Sequence, residues 1–277
     1  MGVKRALRAG LLAPLCVLTV VVALSADASR PSYRLTPAPH RHPPMILHHM
    51  RDGTASSLNW SGYAVTGASG SVTDVKGSWT VPAIQGACPG TNEYASFWVG
   101  IDGFNSNTVE QIGTDSDCQN GVPTYYAWFE FYPHPAFLIN GLAISPGNVI
   151  SAEVSYNASN RWFTVSLTNV TTGQSFSTST KVNRAQRSSA EWIAEAPSGS
   201  GGILPLADFG TVVYGMDNTG VAGTSYTTVQ GMMGPIGSFA TNVVIDMVTS
   251  GGATKAAPSP LSSDGSSFSD SWYSSGP

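Results

Sequence analysis

From Leu58 onward, apolar and polar residues alternate in short runs rich in Val, Thr, Ser, Trp, Tyr and Phe, and Gly, Asn, Asp and Pro separate the runs. Alternation with a period of two marks strands that bury one face. The pattern predicts strands over 59–66, 71–81, 93–102, 108–113, 123–132, 149–156, 161–169, 174–182, 189–195, 210–214, 225–229, 241–249 and 267–273. Thr171-Thr172-Gly173 predicts a hairpin between two of them, and Asp264-Gly265 predicts a turn before the last. There is no repeat of fixed period and no long helical pattern, so the fold class is an all-β sandwich.

Two runs carry more than a core. In Ser189–Glu195, alternation sets Ala190, Trp192 and Ala194 on one face and Glu191, Ile193 and Glu195 on the other. Glu191 then faces either solvent or a site. In Tyr125–Tyr132, the positions Tyr125, Ala127, Phe129 and Phe131 suit a sheet–sheet core. The opposite face holds Tyr126, Trp128, Glu130 and Tyr132: aromatic rings with polar tips around one acid, as in a substrate cleft or on a solvated sheet surface.

The ends change the picture. Lys4, Arg5 and Arg8 precede an apolar run from Leu11 to Leu24, and Ala26-Asp27-Ala28 supplies small residues for cleavage, which predicts a secretory signal peptide over 1–28. The run is short for a transmembrane span, so no membrane partner is expected. Cleavage removes Cys16 and leaves Cys88 and Cys118, an even pair in an oxidising compartment and hence an expected disulfide.

Residues 29–57 form a leader with Arg30, Arg34, Arg41 and Arg51, the histidines His40, His42, His48 and His49, several prolines and no strand-like alternation. From Leu58 to the C-terminus, six basic residues against fifteen acids leave −9, an asymmetry hidden in the overall −4. A basic leader thus precedes an acidic domain (58–277), and nucleic acid is disfavoured as its partner. The leader reads as a disordered spacer, a His-rich metal-binding tract or a propeptide held by charge. In the last case its grip weakens as the domain's carboxylates protonate.

The inventory excludes most catalytic machinery. His134, between two prolines, is the domain's only histidine, so a Ser-His-Asp triad would depend on one loop ring. No zinc site of several His or Cys ligands can be assembled from the domain, and no phosphate-binding or dinucleotide motif sits in a strand–helix context. No cofactor is expected. Carboxylate and amide chemistry remains, through Asp102, Glu110, Gln111, Asp115, Glu130, Glu191 and Glu195.

Five segments in order carry a resemblance: Asn59-Trp60-Ser61-Gly62-Tyr63, Trp98-Val99-Gly100-Ile101-Asp102-Gly103, Glu110-Gln111-Ile112-Gly113, Tyr126–Pro133 and Ala190-Glu191-Trp192-Ile193. Together they resemble the glutamic peptidases, or eqolisins, from about Leu58 to Tyr273. The resemblance implies a concanavalin-like sandwich of two antiparallel sheets of about seven strands, and a secreted, monomeric acid endopeptidase with protein or peptide substrates, insensitive to pepstatin. It places the catalytic pair on Gln111 and Glu191, matches Trp98 and Asp102 to a segment near the site and Trp60 and Glu130 to the cleft; Trp128 joins the substrate-binding residues through its place on the aromatic face around Glu130. Glu110 and Glu195 read as sheet-face residues. The chain departs from the fungal pattern at Tyr126 and at Glu195-Ala196-Pro197.

The implied chemistry is attack of water on a peptide carbonyl, with Glu191 as base and then acid and Gln111 as oxyanion donor. An unperturbed Glu titrates near about 4.3, so acid activity requires only that Glu191 not be deeply desolvated without partners. The competing reading is a carbohydrate-binding or carbohydrate-hydrolysing sandwich whose Trp60, Trp98 and Trp128 stack on sugars.

Overall fold

The alternating runs become strands whose apolar faces meet. The computed structural model describes residues 1–3 and 32–276, so most of the expected signal peptide and the start of the leader lie outside the described residues. No described helix is long and apolar enough to cross a membrane. The leader contributes β1 (Arg34–Pro37), β2 (Leu47–Arg51) and β3 (Thr54–Ser57). Then follow β4 (Trp60–Thr66), β5 (Val72–Thr80), β6 (Ser96–Ile101), β7 (Val109–Gln119), β8 (Val122–Tyr132) and β9 (Phe137–Asn140). Next come β10 (Val149–Asn157), β11 (Trp162–Asn169), β12 (Gln174–Thr180) and β13 (Ser189–Glu195). The short β14 (Ser198–Gly199) and β15 (Gly202–Ile203) form a ribbon of their own. The chain closes with β16 (Thr211–Tyr214), β17 (Tyr226–Val229), β18 (Met232–Pro235), β19 (Asn242–Val248), β20 (Thr254–Pro258) and β21 (Phe268–Trp272).

One sheet runs β19-β4-β13-β6-β7-β8-β9 through antiparallel pairs. The other runs β12-β11-β10-β5-β16-β21-β20, with the β17–β18 hairpin also paired to β5. The sheets join where β20 pairs with the end of β19. Between them lies one apolar cluster that includes Val75, Trp79, Phe97, Val99, Ile112, Ala127, Phe129, Ile150, Val154, Val165 and Trp192. Ala190, Trp192 and Ala194 face this core, as the alternation predicts, and so do Ala127, Phe129 and Phe131. Cys88 and Cys118 form the expected disulfide, and Asn169 and Gln174 pair across the expected hairpin turn.

Two expectations differ from the structure. The leader has strands despite its lack of alternation: β1 pairs with β9, and β3 lies parallel to β19 with β2 outside it. Edge strands are held by backbone hydrogen bonds to an existing sheet, which need no apolar periodicity. β7 runs on past Gly113 to Gln119 because its acids are buried with donors. The Trp128 indole donates to Asp115, the Tyr126 hydroxyl and Gln119 amide donate to Asp117, and the Ala95 backbone amide reaches Asp117 as well. Gly113 is required rather than disruptive: a Cβ there would lie 2.4 Å from the Phe97 carbonyl oxygen.

Asp270 on β21 is fully buried. Burial pushes its carboxyl up to about 8, with Ser61 opposing and Asp246 adding. Such a group adds stability that is fully present below its unfolded value and is lost as pH rises toward its folded value. Replacing Asp270 with Asn should therefore flatten the decline in unfolding free energy between pH 4 and 8, by up to about 1.4 kcal/mol per pH unit for one proton. Urea titrations of both proteins across that range test it; parallel declines would count against it.

Candidate active site

The site follows from strand register. Glu191 on β13 pairs with Gly100 on β6, Gly100 with Gln111 on β7, and Gln111 with Glu130 on β8. Residues in register point to the same face, so this row sits on the face away from the core. Two residues along, the next row is Ile193, Trp98, Gly113 and Trp128; after it come Glu195, Ser96, Asp115 and Tyr126. β4 adds Trp60 beside Glu195. Gly100 has a steric purpose: a Cβ would come within 2.9 Å of the Trp98 ring and 3.3 Å of the Gln111 Cβ. With no side chain there, a gap two strand spacings wide, about 10 Å between backbones, separates Glu191 from Gln111.

A sheet face of acids and indoles would ordinarily be wet. Here Trp60, Trp98, Trp128, Gln111, Asp115, Glu130, Glu191 and Glu195 are all fully buried. Trp60, Trp98, Trp128 and Ile193 belong to a second apolar cluster, against which the leader's Met45 packs. Trp60 meets Trp98 edge to face at 4.8 Å, and the Trp98 indole donates to Glu195 Oε2 at 2.8 Å.

The leader fills this face as a peptide would fill a cleft. Gln111 Nε2 donates to the His42 carbonyl oxygen at 2.7 Å, and the His42 backbone amide donates to Glu130 Oε2 at 2.8 Å. The His42 ring stacks on Trp128 with centroids 3.4 Å apart and planes within 2°. Its Nδ1 lies 3.2 Å from Glu195 Oε2, and His40 Nε2 lies 2.7 Å from Asp115 Oδ2. Arg41 approaches Glu130 at 3.4 Å, donates to the Pro133 and His134 carbonyls, and exchanges two 2.9 Å backbone bonds with Ser198.

Desolvation governs the electrostatics. Burial raises Glu191 well above the usual carboxylate range; the Ser189 hydroxyl opposes this, and Asp102 and Glu110 reinforce it. Neither Glu191 oxygen has a hydrogen bond of normal geometry among the described residues. The condition that Glu191 escape deep desolvation is therefore not met while the leader is seated. Burial likewise lifts Glu195 and Glu110 well above their ordinary value, and Glu130 to about 7 against the backbone bond from His42 and the charge of Arg41. The His42 ring is pushed well down by burial and then by His40. Burial alone would lower His40 too, but Asp115, with the charges of Asp117 and Glu130, reverses this and the net direction is up.

Of the residues expected from sequence, Gln111, Glu191, Trp60, Trp98, Trp128 and Glu130 come together on one face. Asp102 belongs elsewhere: it stands at φ 72°, and its carboxylate accepts the backbone amides of Gln186, Arg187 and Ser188 at 2.7, 2.7 and 2.9 Å. It thus ties down the loop that leads into β13. Glu110 pairs with Ile101 and Phe131 in the row of the opposite face. Glu195, read as an ordinary sheet-face residue, shares the site face with Glu191. Asp115, counted from sequence only in the carboxylate inventory, joins the site, and of the leader's basic residues, which a propeptide would lay on the acidic cleft, His40, Arg41 and His42 are the ones that reach it. A signal existed for Asp115 and Glu195: each stands four residues after a candidate, on the same strand face.

The sequence profile described as "Peptidase A4 family" matches residues 58–265. Aspergillopepsin-2 of Aspergillus niger is 30% identical over 205 residues, covering 63% of this chain and 71% of that protein. Scytalidopepsin B of Scytalidium lignicola is 32% identical over 149 residues, covering 52% of this chain and 54% of that one. Among solved structures, scytalido-glutamic peptidase bound to a transition-state analog inhibitor superposes with a TM-score of 0.63 at 26% identity, over 78% of this chain and 98% of that one.

In the full chain, the Glu191 carboxyl should stay protonated as pH rises through the ordinary carboxylate range. Carbon NMR of glutamate carboxyls, with the resonance assigned by its loss in Glu191→Gln, tests this. A midpoint at or below 4.5, the ordinary value, would contradict the burial seen here.

Proposed function

This chain belongs to the Peptidase A4 family, and from that premise we propose that it is an exported acid endopeptidase of the glutamic type, with Glu191 and Gln111 as its catalytic pair and its own leader as the propeptide that blocks it. One observation carries the reading. The Gln111 amide already donates to a peptide carbonyl, that of His42, at 2.7 Å, and Glu191 stands across the side-chain gap at Gly100. A substrate carbonyl in the same place would have an amide donor on its oxygen and a carboxyl facing the gap where water fits.

In this mechanism, departure of the leader lets water into the cleft, which resolvates Glu191 and allows it to ionise in acid. Glu191 takes a proton from the water as its oxygen bonds to the carbonyl carbon. Gln111 donates N–H to the oxygen as negative charge develops there. Glu191 then passes the proton to the departing nitrogen as the C–N bond breaks, which returns both groups to their starting states. Because Gln111 does not titrate, no second acid competes for that proton. Trp60, Trp98, Trp128 and Glu130 line the channel for the substrate. Asp102 acts at one remove by fixing the residues before β13. A cleft filled by a peptide segment, with a side chain stacked on Trp128, favours a peptide ligand over a sugar.

Leader-free enzyme should cleave denatured protein at about pH 3–4 in the presence of pepstatin, the range that brackets an ordinary Glu. Glu191→Gln should lower kcat by about 10²–10⁴-fold and Gln111→Ala by about 10²–10³-fold, with the fold retained by circular dichroism. Full activity in either folded variant would sink the assignment. The intact chain should be silent at neutral pH toward peptides that the leader-free enzyme cuts in acid.

A further inference from the structure

The segment that blocks the cleft also completes a metal-ligand set. One ring nitrogen from His40, one from His42 and a carboxylate oxygen of Asp115 lie within 4.8 Å of one another. His40 is 2% exposed, and His42 and Asp115 are fully buried. Each imidazole is held at one nitrogen by a carboxylate: His40 Nε2 by Asp115 at 2.7 Å and His42 Nδ1 by Glu195 at 3.2 Å. The other nitrogens, His40 Nδ1 and His42 Nε2, are buried and have no partner among the described residues. His42, held at Nδ1 by Glu195 and bare at Nε2, has the form in which metal-binding histidines are presented; at His40 the ion would take the place of the proton between Nε2 and Asp115, which then serves as a ligand rather than as the group that orients the ring. Unpartnered buried ring nitrogens are otherwise an expense a protein avoids.

We propose that the full chain binds one divalent transition metal ion, Zn2+ by donor chemistry, through His40, His42 and Asp115, and that the ion clasps the leader in the cleft. Two imidazoles and one carboxylate with an open fourth position are a common zinc donor set, and calcium and magnesium prefer oxygen ligands. Closing on the ion draws the ligand atoms from at most 4.8 Å apart to about 3.3 Å, the edge of a tetrahedron with bonds of about 2.05 Å. The placement of the ligands gives the site its meaning. Two come from the leader and one from β7, and the carbonyl of ligand His42 is the one on Gln111. The ion therefore ties together the two parts that must separate for the cleft to open, and it loses two of its three ligands when they do. Metal binding and leader retention must then favour each other to the same extent. The binding claim stands on the leader's geometry alone; its role in holding back a peptidase rests on the function proposed above.

Equilibrium dialysis of the full chain against zinc chloride at neutral pH, followed by metal analysis and competition with a chromophoric chelator, tests the site. One Zn2+ per chain is expected, and the double variant His40→Gln, His42→Gln should lose it. Asp115→Asn, which keeps an acceptor for the Trp128 indole, should bind about 10–100-fold more weakly. His48→Gln, His49→Gln, at exposed positions of β2, should bind like the parent. A second readout is amide exchange over residues 40–46, which zinc should slow in the parent and leave unchanged in the folded His40/His42 double variant. Absence of stoichiometric zinc, zinc that survives loss of both histidines, or bound zinc without slower exchange would each overturn the clasp. Lack of acid proteolysis would instead strike at the peptidase reading and leave the zinc stoichiometry untouched, so the two failures are separable.

Discussion

Strand register is the constraint on which the rest of this structure depends. Pairing of β13, β6, β7 and β8 sets Glu191, Gly100, Gln111 and Glu130 in one row and directs them away from the core. A slip of one residue in any of these strands would exchange its two faces, sending Trp192 or Phe129 outward and a carboxyl into the sandwich. The apolar cluster between the sheets forbids this, so the packing that stabilises the fold also aligns the candidate catalytic groups. Gly100 belongs to the same constraint: the row is useful only because its second position carries no side chain.

The site face holds a concentration of acids that a buried surface tolerates only when they are neutral or partnered. Both solutions occur. Glu191 and Glu110 find no hydrogen-bond partner among the described residues and are driven toward the protonated form. Asp115, Glu130 and Glu195 take partners, and much of that partnership comes from three consecutive leader residues, His40, Arg41 and His42. The leader thus acts through placement as well as net charge. It sets a backbone carbonyl on Gln111, a ring on Trp128 and cationic or polar groups on the acids, and β1, β2 and β3 anchor its flanks to sheet edges.

Buried carboxyls away from the cleft act in the same direction. Asp270, pushed up to about 8, is lodged behind Ser61 on the strand that also carries Trp60. Groups of this kind favour the folded state in acid and withdraw that support toward neutrality. A fold that stores protons on buried acids suits the acid activity proposed above.

Much of this was determined by the sequence alone. Period-two alternation located the central strands, and it assigned Ala190, Trp192 and Ala194 to the core and Glu191 to the other face, because side-chain direction in a strand is a local property. Scarce histidine narrowed the chemistry to carboxylates and amides, and the resemblance carried by the ordered motifs implied Gln111 with Glu191 as the pair. Only the tertiary structure decided what those residues meet. Register between strands far apart in sequence brought Glu195 and Asp115 together in the site, whereas Glu110, next to Gln111 on β7, faces the other way by alternation alone. Backbone amides recruited Asp102 to the loop before β13. The leader, which has no alternation to read, found its place through main-chain hydrogen bonds and buried side-chain hydrogen bonds that exist only once the acidic face has been assembled.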